Sequence, residues 1–318
     1  MIKKLLFLPF IALLASGCNN TPVEEENVRW VSPLGAPSLV FFDQGNNKDD
    51  WVSQKAALMP AELQGNAYDA VIFDATTGLS AIKKNNSDFA LAKVITAGNM
   101  YLVGLNKDTM PTSEDKIVAF QKDKIPDKVF KKLASDRWNL DVSNAKYVSD
   151  ASETAPILQS GKYQGETVDY VLTAEPVFQS SKLTALQNGI TLTEIKSLRS
   201  EWKALTNQDA IVQAGIFVRK SSLETKKEKL KVWMNMVDTN LNKLISNDAG
   251  VKEAMDAYGD IDAQKTRFGV PSQIASKVQE NGNNRLAFIS ASIEESNVNG
   301  FLSSLGEATY EDTYFVNI

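Results

Sequence analysis

The sequence predicts an α/β fold, because short apolar stretches of strand type alternate with helical stretches along the chain. Ala70-Val71-Ile72-Phe73 is a continuous apolar run typical of a buried strand, and Asp74 to Gly78 leads from it into a helix. Further along, Leu223, Leu230, Trp233, Val237, Leu241 and Leu244 recur at the spacing of one helix face. Strand and helix signals therefore follow each other instead of occupying separate regions.

The elements can be placed in order from apolar runs, capping residues and Gly or Pro breaks. The predicted strands are 28–32, 70–73, 91–96, 101–105, 116–120, 146–148, 168–172 and 211–218. Helices are predicted near 78–84, 126–133, 151–160, 175–181 and 221–247, with several more in the C-terminal third. Gly65–Phe73 and Gly165–Thr173 share one pattern of Gly, spacer, Asp and apolar strand before a helix. This similarity indicates either an internal half-repeat or two unrelated βα units.

The chain begins with a predicted secretory signal. Two lysines precede the apolar run Leu5–Leu14, and small residues lead to Cys18, the one cysteine of the chain. The run is too short for a membrane-spanning helix. Cys18 resembles the acylated cysteine of a bacterial lipobox; the alternative is a plain signal peptide followed by a chance cysteine. We expect residues 1–17 to be removed, Cys18 to carry lipid, and polar residues 18–27 to form a disordered tether.

Composition excludes several classes of function. The formal net charge is −5 and no basic run is present, so neither nucleic acid nor anionic lipid is an expected partner. The chain contains no histidine, which removes Ser-His-Asp hydrolases and histidine-based metal sites. We expect no metal, no cofactor and a monomeric chain. Catalysis, if any, would depend on carboxylates, lysine or tyrosine.

Polar side chains follow the predicted strands where helices begin, and ligands of α/β proteins bind at such places. Gly78 would let the backbone approach a ligand closely. Asp74 and Glu175, if both line a cleft, would favour an amine or a cationic ring. Each of these residues could instead be an ordinary helix N-cap, and the two carboxylates could serve a cell-surface glycosidase. The candidate ligand contacts are Ser38, Asp74, Thr76, Thr77, Ser149, Asp150, Ser152 and Glu175.

Several segments resemble one family. Tyr68–Phe73 looks like its Asp-containing strand, Val168–Pro176 matches its second-lobe strand and Glu-Pro turn, and Gly215–Lys220 matches the strand that returns to the first lobe. On these segments the chain resembles the substrate-binding lipoproteins of ABC importers in the nitrate/sulfonate/thiamine-precursor-like group. One departure is the stretch Phe120–Pro126, which has no glycine where many members have a Gly-rich loop. The resemblance therefore does not imply an anionic ligand.

The resemblance implies a type II periplasmic-binding-protein architecture with a ligand held between two lobes. Lobe I would comprise 28–106 and 212–318, and lobe II 113–205, with crossings near Asn106–Ser113 and Leu205–Val212. It further implies a non-enzymatic protein, lipid-anchored on the extracytoplasmic face of the cell membrane, that delivers a small molecule to an ABC permease. The alternative within the same fold is a surface lipoprotein with a sensing or adhesion role.

Overall fold

The computed structural model describes residues 27–44, 50–279, 284–290 and 295–318. The predicted signal at 1–17, the lipidation site Cys18 and the tether up to Glu26 lie outside the described residues. Within the described part of the chain, no helix is long and apolar enough to cross a membrane.

The chain forms two five-stranded sheets and a two-stranded hairpin. The strands are β1 (Trp30–Pro33), β2 (Trp51–Gln54), β3 (Ala70–Asp74), β4 (Phe89–Val94), β5 (Met100–Leu105), β6 (Ile117–Phe120), β7 (Lys146–Val148), β8 (Lys162–Tyr163), β9 (Glu166–Thr167), β10 (Tyr170–Ala174), β11 (Leu192–Ser197) and β12 (Ala214–Arg219). Sheet I has the order β2-β1-β3-β12-β4 and sheet II the order β11-β5-β10-β6-β7. We call each sheet with the helices packed on it lobe I and lobe II.

Helices flank both sheets. They are α1 (Met59–Glu62), α2 (Ala75–Asn85), α3 (Ile125–Asp136), α4 (Ala155–Ser160), α5 (Val177–Gln187), α6 (Leu198–Thr206), α7 (Lys220–Thr225), α8 (Lys227–Ser246), α9 (Ala249–Asp256), α10 (Ile261–Phe268), α11 (Ser272–Lys277) and α12 (Glu295–Ser304). Short 3-10 turns cover Ala36–Phe41, Ala56–Leu58, Ala151–Thr154 and Asp312–Tyr314. The α/β prediction is confirmed.

Strand direction in both sheets is mixed. In sheet I, β1, β2 and β3 are parallel, and β12 runs antiparallel between β3 and β4. In sheet II, β10, β6 and β7 are parallel, and β5 runs antiparallel between β10 and β11. One face of sheet I is covered by α8, where Trp233 stacks on Trp30 with ring centroids 5.4 Å apart. The predicted periodic face is buried from Leu230 to Leu244, as expected from its apolar spacing. The helix predicted over 221–247 is divided, however, because the backbone leaves helical geometry at Lys226, and the half-buried Leu223 lies in α7.

The first crossing lies one strand earlier than the sequence predicted. The boundary at Asn106 placed the strand 101–105 in lobe I, but β5 pairs with β10 and β11 in sheet II. The chain therefore crosses at 95–99, between β4 and β5, and returns through 207–213 before β12. An apolar run indicates a buried strand but not the strands it pairs with. The sequence therefore predicted the strand at 101–105 but placed it in the wrong sheet.

The C-terminal part does not belong wholly to lobe I, as had been expected for 212–318. The apolar face of α12 packs on lobe II, where Phe301 meets Trp202 edge-on with centroids 5.4 Å apart. The Ser304 hydroxyl accepts a 3.0 Å hydrogen bond from Gln208. The chain then returns to lobe I, where the Val316 amide donates to the Leu91 carbonyl at 3.0 Å. An amphipathic helix packs wherever an apolar surface is open to it, and Trp202 provides that surface in lobe II.

Candidate ligand-binding cleft

Both crossings join the carboxyl edge of sheet I to the carboxyl edge of sheet II. Strand β4 is antiparallel to β12, as β3 is, so it ends at the same edge as β3 and leads into 95–99. Strand β5 starts opposite the end of β10, where Met100 pairs with Ala174. The return segment enters sheet I at Ala214, opposite Asp74 at the end of β3. The carboxyl edges of the two sheets therefore meet beside the crossings.

The two crossing segments are bonded to each other. The Ile211 amide donates to the Ala97 carbonyl at 3.1 Å, and the Asn99 amide donates to the Gln213 side-chain oxygen at 3.0 Å. The Asn99 side chain also donates to the Glu175 carbonyl at 2.7 Å, which ties the first crossing to the end of β10. These contacts form the base of a cleft between the lobes.

In lobe I, Asp74 ends β3 and caps α2. Its Oδ1 accepts hydrogen bonds from the Thr77 amide at 2.7 Å and from the Thr76 hydroxyl at 2.9 Å. Burial raises the pKa of Asp74, and these two bonds together with the nearby charge of Lys124 oppose the rise. Because Lys124 follows β6 in lobe II, oppositely charged side chains from the two lobes interact across the cleft.

Two other residues of lobe I have internal partners. Ser38 is fully buried, and its hydroxyl lies 2.7 Å from both the Gly35 and the Phe268 carbonyl oxygens, so it ties the loop after β1 to the end of α10. A Cβ added at Gly78 would lie 2.2 Å from Cζ of the buried Phe217 ring. The glycine therefore makes room for this ring in the core, which corrects the interpretation that it lets a ligand approach.

The loop after β6 has glycine-like backbone geometry without glycine. Gln121 and Asp123 have φ angles of 55° and 61°, in the left-handed region. Asp127 in the first turn of α3 stabilises this loop: its buried carboxylate accepts from the Asp123 amide at 2.7 Å, the Lys131 ammonium at 2.8 Å and the Tyr147 hydroxyl at 2.8 Å. The loop thus presents the exposed Lys124, which caps α3 without a side-chain hydrogen bond, at the carboxyl edge of sheet II.

The loop after β7 carries three of the sequence-predicted contacts. Ser149 and Ser152 are exposed, and Asp150 between them is partly exposed. Asp150 accepts from the Ser152 amide at 2.9 Å, and the Ser149 amide donates to Glu153 at 3.0 Å. The two exposed serines follow the carboxyl end of β7.

Both carboxylate oxygens of Glu175 accept hydrogen bonds from other groups of the protein. Its side chain is 0% exposed; Oε1 accepts from Nε of Arg285 at 2.8 Å, and Oε2 accepts from the Gln179 amide at 3.0 Å. Burial raises the pKa of Glu175, and the Arg285 guanidinium opposes that rise. Its negative charge is therefore balanced by Arg285.

The structure brings all eight predicted residues to strand ends at the two carboxyl edges. Of these, Asp74, Thr77, Ser149, Asp150 and Ser152 are partly or fully exposed, whereas Ser38, Thr76 and Glu175 are buried. Direct contact with a ligand stays a prediction for each. The sequence analysis missed Lys124 and Arg285. Lys124 follows β6 as Asp74 follows β3, so its position after a strand could have indicated a site residue. Arg285 follows no predicted strand, so its position gave no such indication.

No group of three or more Cys, Asp or Glu side chains suited to a metal ion occurs among the described residues. The acidic side chains of the cleft are instead bonded to lysine, arginine, hydroxyl or amide groups, as for Asp127 and Glu175.

Comparison with solved structures identifies the fold. An ABC transporter protein from Parabacteroides distasonis superimposes with a TM-score of 0.65 at 16% identity, over 92% of this chain and 99% of that one. The alkanesulfonate-binding protein SsuA from Xanthomonas axonopodis pv. citri, bound to MOPS, gives a TM-score of 0.58 at 12% identity over 88% and 91%. A Candida albicans protein described as having the generic periplasmic binding protein fold gives 0.54 at 13% identity over 91% and 93%.

No protein-family model matches the sequence, and no curated protein is significantly similar to it. The identities to the solved structures are low, so the likeness establishes architecture and not ligand. The superposition on the Parabacteroides distasonis protein covers 92% of this chain. The chain therefore has the fold of the periplasmic binding proteins.

Proposed function

We propose that this protein is an extracytoplasmic solute-binding lipoprotein that captures a small molecule between its two lobes and delivers it to an ABC importer. The observation that supports this most directly is the meeting of two carboxyl edges at the crossings. In α/β sheets, ligands bind outside the carboxyl ends of strands, where loops and helix N-termini converge. Two such edges on either side of a hinge make a receptor that can close on its ligand.

The cleft favours binding over catalysis. A glycosidase needs two carboxyl groups placed on either side of the scissile bond, one of them able to give up a proton. Both carboxylate oxygens of Glu175 are already bonded, to Arg285 and to the Gln179 amide. Asp74 holds the Thr76 hydroxyl and the first turn of α2 through its Oδ1. Glu175 is therefore held in a structural role and cannot form a catalytic pair with Asp74, so the site suits a non-enzymatic receptor.

The polar groups that remain at the cleft define the ligand contacts we propose. Thr77 and the half-buried Asp74 contribute from lobe I, Ser149 and Ser152 contribute hydroxyls from lobe II, and Lys124 adds a positive charge. A polar molecule with several hydrogen-bonding groups suits this set, since each hydroxyl can donate or accept. Ligand contacts present only in the closed form would then drive closure.

A binding screen tests the proposal. We would purify the chain with Cys18→Ser, which blocks lipidation, and measure its melting temperature against vitamins, amines, sulfonates and nucleobases. A ligand at 100 times its Kd adds about 2.7 kcal/mol to the free energy of unfolding. The proposal predicts a clear rise with at least one compound; no rise across all four classes would contradict it.

A variant pair then locates the site. Asp74→Asn removes the charge but keeps an oxygen that can cap α2, whereas Asp74→Ala also removes the cap and would confuse the two effects. Asp260→Asn is the matched control, because Asp260 caps α10 through the Ala263 amide at 2.9 Å and follows no sheet strand. We expect ligand binding to weaken in Asp74→Asn and to stay unchanged in Asp260→Asn.

Lipid attachment is tested separately. Metabolic labelling with radioactive palmitate should mark the wild-type chain and not Cys18→Ser, and the variant should move from the membrane fraction to the soluble fraction. Two acyl chains give stable anchoring where one does not, so the change in partition should be nearly complete. Labelling of both chains would contradict the lipoprotein part of the proposal.

A sensing or adhesion role on the same fold is the second candidate. It is supported by the Candida albicans protein, whose description names only the generic fold and no transporter. Uptake distinguishes the two: deletion of the gene should abolish import of the identified ligand if the protein feeds a permease. Unchanged import in a strain lacking the protein would favour the second candidate. In both roles we expect a monomer that binds no nucleic acid.

A further inference from the structure

Residues 284–290 form a turn and a single β-bridge, from Phe288 to Thr96, beside the first crossing. The Ala97 amide donates to the Ala287 carbonyl at 2.8 Å, and the Ile289 amide donates to the Ile95 carbonyl at 3.0 Å. Leu286 and Phe288 of this segment are buried in the apolar cluster that covers sheet I with α8. The backbone around Arg285 is therefore fixed to lobe I.

The side chain of Arg285 reaches into lobe II. Its Nε donates to Glu175 Oε1 at 2.8 Å, and its Nη1 donates to Glu194 Oε2 at 2.6 Å. Glu175 follows β10 and Glu194 lies on β11, so one guanidinium joins two elements of sheet II. Charge-assisted bonds from a planar guanidinium are directional, and this geometry restricts how the lobes can rotate.

Aromatic rings complete the contact. The guanidinium lies 4.2 Å from the centroid of Tyr101 and 5.4 Å from that of Phe178, both in lobe II. The Tyr101 hydroxyl donates back to the Arg285 carbonyl at 3.1 Å, so side chain and backbone of the arginine are both held. Cation–π attraction is stronger where water is largely excluded, as here, where Arg285 is 20% exposed.

We propose that Arg285, Glu175, Glu194 and Tyr101 form an interlobe clamp that fixes the angle between the lobes in the unliganded protein. The clamp lies next to the crossings, where a small displacement is amplified into a larger one at the cleft opening. It joins residues of four separate chain segments, and neither its geometry nor its test depends on the proposed ligand-binding function.

The test measures the interlobe distance. Cys18 is the one cysteine in the sequence, so Cys18→Ser allows two spin labels to be placed through Lys84→Cys in lobe I and Lys146→Cys in lobe II, both exposed positions. Double electron–electron resonance on the unliganded full chain should give one narrow distance distribution. In Arg285→Met, which removes the charge and keeps much of the bulk, we expect the distribution to broaden and its mean to shift.

Two further variants make the result specific. Arg219→Met is the matched control, because Arg219 lies 4.5 Å from the Phe89 ring centroid and bonds the Tyr68 carbonyl, all within lobe I; its distribution should equal that of the parent chain. Glu194→Gln removes the charge that pairs with Arg285 Nη1, at a partly exposed position where the substitution should not prevent folding. Its distance distribution therefore tests the clamp if Arg285→Met does not fold. A distribution identical to the parent's in Glu194→Gln and in folded Arg285→Met would overturn the proposal, as would equal broadening in Arg219→Met.

Discussion

Gly78 provides the sharpest test of how lobe I is packed. It lies in α2 beneath the end of β3, and a Cβ at this position would come within 2.2 Å and 2.4 Å of two ring atoms of Phe217. Real Cβ atoms essentially never approach closer than 3.0 Å, so the ring would have to move by about 0.8 Å. Phe217 is fully buried on β12, between β3 and β4, so moving its ring would displace neighbouring core side chains.

Two opposing terms set the expected magnitude of Gly78→Ala. Replacing glycine by alanine inside a helix favours folding by about 1 kcal/mol. Overpacking a filled core costs about 1–3 kcal/mol, and two contacts far below the normal limit place this case in the upper half of that range. We therefore expect Gly78→Ala to lower the free energy of unfolding by about 1–2 kcal/mol. Urea unfolding followed by far-UV circular dichroism measures this change.

A second background and a control isolate the clash. The three closest atoms all belong to the outer ring of Phe217, and leucine has none of them. In a Phe217→Leu background, Gly78→Ala should be neutral or stabilising, which gives a coupling of about 2–3 kcal/mol between the two sites. Gly300→Ala in α12 is the control, because its nearest neighbour is 3.7 Å away and only the helix-propensity gain remains. If Gly78→Ala stabilised the wild type as much as Gly300→Ala, the packing argument would be wrong.

Three further predictions concern buried polar and apolar contacts. Burial raises the pKa of Asp74, so its ionised form destabilises the fold; Asp74→Asn should raise the free energy of unfolding at pH 7. The gain should shrink as the pH falls and vanish only well below the ordinary aspartate pKa of about 3.9, where the carboxyl is protonated in both folded and unfolded chains. A gain that grew toward acid pH would contradict this. Asp127→Ala leaves the Tyr147 hydroxyl and the Asp123 amide without their acceptor and should cost about 2–5 kcal/mol in urea unfolding, whereas Asp127→Asn, which keeps an oxygen, should cost less. Phe301→Ala should cost about 3–5 kcal/mol if α12 packs on Trp202 as described, and a loss below about 1 kcal/mol would mean that it does not.

Much of the secondary structure could be predicted from local pattern alone. The apolar run Ala70–Phe73 became part of β3, and the periodic face that includes Leu230 and Trp233 became the buried face of α8. Asp74 was recognised at the junction of β3 and α2, and it caps the helix as such residues do. These features depend on residues within a few positions of one another, so the sequence carries them directly.

The candidate site was predictable only in part. Strand ends followed by Ser, Thr, Asp or Glu pointed to the carboxyl edges, and the structure places all eight candidates there. The absence of glycine in Phe120–Pro126 gave no reason to expect an anionic ligand at this loop. The structure shows that Gln121 and Asp123 adopt left-handed backbone angles nevertheless, with Asp127 holding the loop. The hydrogen bond from the Asp123 amide to Asp127 stabilises left-handed backbone angles that usually require glycine. No sequence motif indicates this bond.

What the sequence by itself determined was the position of eight of the described strands and of several helices, and which of their faces are apolar, because each follows from short-range spacing and side-chain chemistry. Strands β2 and β11 and helix α6 were not predicted. What only the tertiary structure decided was which distant segments meet. β5 joins sheet II although it follows the strands of sheet I, α12 packs on Trp202, and Arg285 pairs with Glu175 across 110 positions of sequence. The physical reason is that apolar burial and ion pairing act between segments that are distant in sequence, and the residue pattern of one segment does not specify which other segment it will contact.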